Sequence, residues 1–419
     1  MSDAERNIHV ESLKRQLAEG VIDRREFLRF TTLVGLSASA AYAHVGGAVV
    51  GSAQAQAAMP KGGTLRLGSR VKDIKSPHTY SFGAYDSNMS RQVVEYLTFT
   101  DENNVTHPYL LEKWEVSPDL KTWTLRLRRD VKWRNGKELT ADEVIWNIKR
   151  VLDAEVGSSV LGLMKGYMLD EVESGGKKTT KLWDANAIER VDAHTVRLNC
   201  KAAQVAVPEH FFHYPFPMLH PDDKGVFGPG AMGTGPFELI AFDQGKRAVF
   251  KARQDYWGKA PHLDGVEFLD MGDDPAAPIS ALASKQIHGL VSADPLQYEA
   301  LRRMPHLQLY EVATAETAVL RIKADQKPFN DPKVRKALRL AVDNEKVMQV
   351  ALRGLGVVGD NSHVSPAQPD YSDIGLMKRD VAAAKKILAE AGHPNGIDFE
   401  LSLSAEPPWM GAEAQAAVE

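Results

Sequence analysis

The chain has 419 residues, with 51 Lys and Arg against 55 Asp and Glu, a formal net charge of −4, and a hydrophobic content of 43%. A charge this close to neutral argues against a nucleic-acid partner, and that apolar content excludes general disorder. A single cysteine, Cys200, rules out an intrachain disulfide.

Residues 1–57 read as an export leader and stay outside any fold argument. Arg24 and Arg25 stand together, Phe27 and Leu28 follow, and residues 30–50 form a moderately apolar run of small residues. Ala53, Ala55 and Ala57 offer small-residue cleavage sites, with cleavage expected near Ala57. This order predicts a twin-arginine signal read by the Tat translocase; the rival reading is an amphipathic helix with a chance Arg pair. The run is less apolar than a membrane span. No cysteine lies near the cleavage site, so the mature protein is expected to be soluble and not lipid-anchored. Six acids and six bases cancel in the leader, which leaves the whole charge of −4 on the remainder. That remainder, roughly 360 residues, is too large for one small core and suggests two or more lobes.

Residues 63–67 predict a short strand, followed by a polar loop, 76–85, dotted with Tyr80, Phe82 and Tyr85. Loops after a buried strand often line a cleft. Residues 88–97 read as a helix. Across 122–128, Trp123, Leu125 and Leu127 alternate with Thr124, Arg126 and Arg128, which predicts a half-buried strand. Asn135 and Gly136 tolerate positive φ, and Thr140 stands three residues before Glu143, the pattern of a reciprocal helix cap. A helix should start near Ala141 and bury Val144, Ile148, Val151 and Leu152.

Residues 171–180 are polar and glycine-bearing and predict an exposed excursion. A strand pair follows over 188–198, with Cys200 as a small core or strand-end residue. Residues 234–240 and 247–251 alternate like a hairpin that ends in Tyr256 and Trp257. Strands are expected over 266–271 and 307–312, with a helix over 278–284 between them, a pattern that suits an α/β lobe. Further on, residues 319–322 and 399–403 read as strands. Asp331 and Pro332 open a helix that buries Val334, Leu338, Val342, Val347 and Met348, and a second helix over 380–391 ends at Gly392 and Pro394. Residues 411–419 form a polar, alanine-rich tail with no assigned element.

Few residues carry reactive chemistry. Gly228, Gly230 and Gly233 match a dinucleotide-binding pattern, but a strand, not a helix, is expected after them, so a tight loop is the better reading. His210 and His213 have metal-ligand spacing, yet Pro208, Pro215, Pro217 and Pro221 crowd the segment and favour loop histidines packed on aromatics. No nucleophile, metal-hydrolase or phosphate-loop motif occurs, so there is no positive reason to propose an enzyme or a cofactor. Tyr80, Phe82, Tyr85, Tyr96 and Trp114 could line a cleft, although Tyr96 and Trp114 equally suit a core.

Residues 114–150 also carry a resemblance. That block, with Lys61-Gly62-Gly63-Thr64, Gly233-Thr234-Gly235-Pro236-Phe237, Asp255-Tyr256-Trp257, and the run from Lys327 to Leu338 continuing to Asp343, resembles the extracytoplasmic solute-binding proteins of ABC importers, bacterial extracellular solute-binding protein family 5. The resemblance implies an α/β, two-lobe periplasmic binding protein of type II, with an extra subdomain inserted in the first lobe. It places the first-lobe core at 58–82 and 232–313, the inserted subdomain at 83–231, a hinge at 311–318 and the second lobe at 314–419.

It further implies a periplasmic monomer without cofactor that captures di- or oligopeptides and serves a membrane permease and its ATPase subunits. Tyr80, Ser81, Phe82, Gly83 and Tyr85 are the residues expected at the ligand, the backbone of 81–83 pairing with an extended peptide. Nickel chelates, opines, glutathione or oligosaccharides are alternative ligands. An exported hydrolase and a non-functional fragment are the alternative classes. Family members run further than residue 419, so the second lobe is expected to be incomplete and solute binding weak or absent.

Overall fold

The computed structural model divides the chain into two units, Met1–Pro60 and Lys61–Glu419. Of the first unit only Arg15 is described; in the second, the described residues are 61–79 and 83–418 apart from 175, 313, 315, 360, 363, 365–367, 369, 370, 374, 376 and 404–408. The leader residues Arg24, Arg25, Phe27 and Leu28 and the loop residues Tyr80, Ser81 and Phe82 lie outside the described residues.

The second unit begins with β1 (Thr64–Ser69), α1 (Ala84–Ser90), β2 (Thr98–Thr100), β3 (Thr106–Pro108), β4 (Leu111–Val116) and β5 (Thr122–Leu127). Then come α2 (Ala141–Val151), α3 (Val160–Met168), β6 (Leu169–Ser174), β7 (Lys177–Leu182), β8 (Ile188–Asp192), β9 (Thr195–Asn199) and α4 (Val207–His210). The hairpin β10 (Phe237–Asp243) and β11 (Arg247–Ala252) leads to β12 (Gly265–Asp270), α5 (Ala276–Ala283), β13 (Gly289–Leu290) and α6 (Tyr298–Leu301). Four helices close the described part: α7 (Pro332–Ala341), α8 (Asn344–Leu352), α9 (Val381–Glu390) and α10 (Trp409–Val418).

Two sheets organise the unit. A five-stranded sheet has the order β10-β11-β12-β1-β13, with β1 parallel to β12 and β13 and the remaining pairs antiparallel. A four-stranded antiparallel sheet has the order β4-β5-β9-β8. Strand β5 buries Trp123, Leu125 and Leu127, as its alternation requires, against Val144, Ile148 and Val151 of α2. The start of α2 is the expected reciprocal cap, with Thr140 N–H donating to Glu143 Oε2 at 2.9 Å. A second core joins Met89, Val93 and Val94 to Phe250 and Phe268 of the five-stranded sheet, and a smaller one gathers Leu282, Ile287 and Leu301. Burying side chains of this size contributes about 2 kcal/mol each relative to exposure, which is what holds each sheet to its helices.

Several expectations are corrected. Helix α1 occupies Ala84–Ser90 rather than 88–97, because the Asp86 carboxylate accepts the Gly83 N–H and starts the helix early. Residues 171–180 are mostly exposed where described, as expected, but they pair as the ribbon of β6 and β7, which was not expected. The helix expected to run from Asp331 through Met348 is broken: Asp343 has left helical geometry and accepts the Lys346 N–H, which caps α8 anew. Only Val334 and Ala337 of α7 and Ala351 of α8 are buried, whereas Leu338, Val342, Val347 and Met348 are half-buried. The alanine-rich end forms α10, as its helix-favouring composition permits.

Strands expected at 307–312, 319–322 and 399–403 are absent among the described residues. Residues 318–322 and 397–403 make no backbone hydrogen bond there, and Val319, Leu320, Phe399 and Leu403 are exposed. Alternation makes a segment competent for a sheet, but only a paired neighbour makes it a strand. No helix among the described residues is long and apolar enough to cross a membrane.

Candidate functional site

The loop leaving β1 is pinned at both ends. Asp270 Oδ2 accepts the Val71 N–H at 2.6 Å, Lys75 O accepts the Phe227 N–H at 3.3 Å, and Ser76 O accepts both the N–H and the hydroxyl of Thr79. His78 is fully buried and its Nε2–H donates to Pro217 O at 2.8 Å, which fixes the tautomer. Burial pushes its pKa down to about 4, so the ring is neutral near pH 7; the bond to Pro217 opposes that shift and the Arg150 charge adds to it. Its Nδ1 is buried without a hydrogen-bond partner among the described residues.

Gly83 takes an extended backbone at the head of α1. Its N–H donates to Asp86 Oδ2 at 2.9 Å, and its carbonyl accepts the Ser87 N–H at 2.9 Å. Asp86 is buried and its Oδ1 has no partner among the described residues. Burial raises the Asp86 carboxyl above its ordinary range, against the opposing pull of the Gly83 N–H and of Lys72. Tyr85, in the first turn, is 36% exposed. Of the five residues expected at a ligand, Gly83 and Tyr85 share the start of α1, while Tyr80, Ser81 and Phe82 lie outside the described residues.

Beyond α1 stands a buried carboxylate that the sequence did not single out. After α1, Arg91 lies over the rings of Tyr96 and Phe212, and the next acid, Glu95, is only 2% exposed. Its Oε1 accepts the hydroxyls of Tyr256 at 2.7 Å and Tyr109 at 2.9 Å, while Oε2 accepts Trp257 Nε1–H at 3.0 Å. Its backbone carbonyl accepts the Met218 N–H at 2.7 Å. A buried carboxylate is tolerated when donors replace the water it loses, and charge-assisted bonds of this kind are the strong ones. Burial first, and then the Glu95 charge, holds both phenols well above their usual range.

Asp255-Tyr256-Trp257, met in the sequence as a signature, is thus one half of a latch. A second latch lies beside it. Arg253, 5% exposed, donates from Nη1 to the carbonyls of Gly233 and Gly235 at 3.2 and 3.3 Å, from Nη2 to Lys132 O at 3.4 Å, and to both carboxylate oxygens of Asp255. The glycines allow the approach: a Cβ on Gly233 would stand 1.8 Å from Val93 O, and one on Gly235 2.6 Å from Gln92 O. The segment from Gly228 to Gly233 leads into β10, not into a helix, so it is packing and not a phosphate cradle. A charged residue inside an apolar run, as in Val94-Glu95-Tyr96, was the available signal for Glu95.

The other candidates divide as follows. Tyr96 is core, its hydroxyl donating to Tyr214 O at 2.7 Å, and Trp114 packs half-buried on the first core. His210 Nδ1 pairs with the Tyr167 hydroxyl at 2.9 Å and His213 Nε2 with Ser159 Oγ at 3.1 Å; burial pushes both histidines down. Among the described residues, no group of three or more His, Cys, Asp or Glu is placed to hold a metal ion. Cys200 is buried, and burial pushes its thiol up to about 11, away from reactivity.

The family profile "Bacterial extracellular solute-binding proteins, family 5 Middle" matches residues 105–419. The chain is 27% identical over 343 residues to the dipeptide-binding protein of Escherichia coli (strain K12), an alignment covering 78% of this chain and 62% of that protein. It thus spans about three fifths of the length of that relative. Among solved structures it is similar to the periplasmic binding protein AgaA from A. tumefacien R10 in complex with agropinic acid (TM-score 0.67, 23% identity, 85% of this chain and 70% of that one). It is also similar to the ABC transporter-associated periplasmic binding protein DppA from Helicobacter pylori in complex with peptide STSA (TM-score 0.61, 20% identity, 80% and 67%). The fold is the α/β fold of the type II periplasmic binding proteins.

Proposed function

This chain belongs to the bacterial extracellular solute-binding proteins of family 5, and from that premise we propose that it is the solute-capturing component of an ABC importer. Its solutes are di- and oligopeptides, passed to a membrane permease driven by separate ATPase subunits. The observation that carries this reading is the family match across residues 105–419, seconded by the likeness to a dipeptide-binding protein. The capped helix start at Gly83 and Tyr85 supports a ligand site there, and we assign Tyr80, Ser81 and Phe82 to the same site from the family resemblance alone. Peptide is gripped mainly through backbone hydrogen bonds, which tolerate many side chains.

In this reading the first lobe comprises 58–82 and 232–313 with the subdomain 83–231, and residues 314–419 belong to a second lobe hinged near 311–318. A ligand touching both lobes favours the closed state by its differential affinity, and the closed state docks on the permease. The chain acts as a periplasmic monomer without catalysis, exported through Arg24, Arg25, Phe27 and Leu28 and not lipid-anchored. Isothermal titration of residues 58–419 with defined di- and tripeptides tests the reading. Saturable binding that weakens in Tyr85→Ala supports it, and no heat with any peptide overturns it.

An opine is the second reading, favoured by the likeness to a structure holding agropinic acid. Displacement of bound peptide by an opine acid, and not by other peptides, would select it.

A further inference from the structure

Among the described residues, the ribbon of β6 and β7 has no third strand. On the β6 side, the Lys201 ammonium takes the Leu169 carbonyl and pairs with Asp170 at 2.8 Å. The β7 side is open. Trp183 N–H donates to Met168 O at 3.1 Å, one step beyond the Leu169–Leu182 pair. Hydrogen-bonded pairs alternate along an antiparallel ladder, so residues 181 and 179 also turn their backbone groups towards β6. Lys178, Thr180 and Leu182 therefore turn theirs outward, and no described residue bonds to them.

A groove of about 470 Å³ runs along this edge, between β7 and the corner where α2 ends. Leu152 and Leu169, both buried, give it an apolar floor. Its lining holds Lys149, Lys178 and Lys181 together with Asp153 and Glu155, an excess of one positive charge, and among the described residues none of the three lysines forms an ion pair. Asp153 accepts the Glu155 N–H at 2.9 Å and keeps its charge, so the lysines outnumber the acids of the lining by one. Edge lysines alone would only deter pairing. Here they stand over a groove whose size falls within the range of ligand sites, beside three residues with outward backbone donors and acceptors.

We infer that this groove receives an extended, acidic segment of a partner protein, added to β7 as a third strand. Backbone pairing with Lys178, Thr180 and Leu182 supplies affinity, and carboxylates opposite the three lysines supply selectivity. The inference is independent of which solute fills the main site.

The test uses residues 58–419 and a short fluorescein-labelled peptide of alternating Glu and Val. Saturable anisotropy is expected, with slowed amide exchange at Lys178, Thr180 and Leu182 and none gained at Thr179 or Lys181. Thr180→Pro removes one outward N–H without touching the ladder and should weaken binding about tenfold. The double variant Lys178→Glu and Lys181→Glu keeps every backbone group and should prefer the matching Lys-Val peptide. Tyr85→Ala should leave this binding unchanged, which separates it from capture at the main site. Absence of Glu-Val binding, equal binding of the Lys-Val peptide, or protection confined to residues outside β7 overturns the inference.

Discussion

The Tyr256 hydroxyl stands 2.7 Å from Glu95 Oε1, a bond that joins positions 161 residues apart in the chain and closes a buried triangle with Tyr109. Glu95 stands five residues beyond the end of α1, so the carboxylate ties the segment after that helix to the segment leaving β11. Glu95→Gln keeps the shape but replaces one acceptor by a donor facing Tyr or Trp. It should cost roughly 2–3 kcal/mol in urea unfolding and change Trp257 fluorescence in the native state. Glu95→Asp should recover little, because the shorter arm cannot reach all three donors.

The glycines of the Gly228–Phe237 segment differ in role. Gly233→Ala places a methyl into Val93 O and should destabilise by on the order of 3 kcal/mol, whereas Gly228→Ala meets nothing within 4 Å and should stay within about 0.5 kcal/mol. Thermal unfolding of the two single variants makes the comparison. Equal effects would restore a common, ligand-cradling role for the pattern.

Acid sensitivity should trace to His78. Its ordinary pKa of 6.5 falls to about 4 in the fold, so as pH drops the unfolded chain takes up the proton first. The stability it confers is complete above pH 6.5 and is lost between 6.5 and 4, on the order of 3 kcal/mol in all. Asp86, raised by burial, binds its proton first in the folded state and offsets part of the loss at the acid end. His78→Gln keeps a donor for Pro217 O and should remove about one proton from the slope of stability against pH, measured by urea unfolding at several pH values.

Much of this architecture was legible where local chemistry and tertiary need agree. Strand β5 shows its buried face by alternation, and α2 shows its start through Thr140 and Glu143. Helix α1 was misplaced because its cap residue is Gly83, which has no side chain to advertise the role, although Asp86 three positions on was the other half of the signal. The β6–β7 ribbon was missed because it is polar along most of its length; Gly175 and Gly176 between two six-residue runs were the hairpin clue. Residues 319–322 and 399–403 look like strands but depend on partners distant in sequence, which alternation cannot supply. The latches were hidden for the same reason: Glu95 meets Tyr256, and Arg253 meets Lys132, only through the fold. At the site, Gly83 and Tyr85 were named from the family resemblance, and the geometry adds the pinned helix start that positions them.

Native mass spectrometry of the chain isolated from the periplasm, before and after acid unfolding, tests solute capture most directly. The account predicts a native mass exceeding the unfolded mass by the mass of a di- or oligopeptide, with that peptide released on unfolding and lost from Tyr85→Ala. Identical native and unfolded masses, together with no uptake of added peptides, would contradict it.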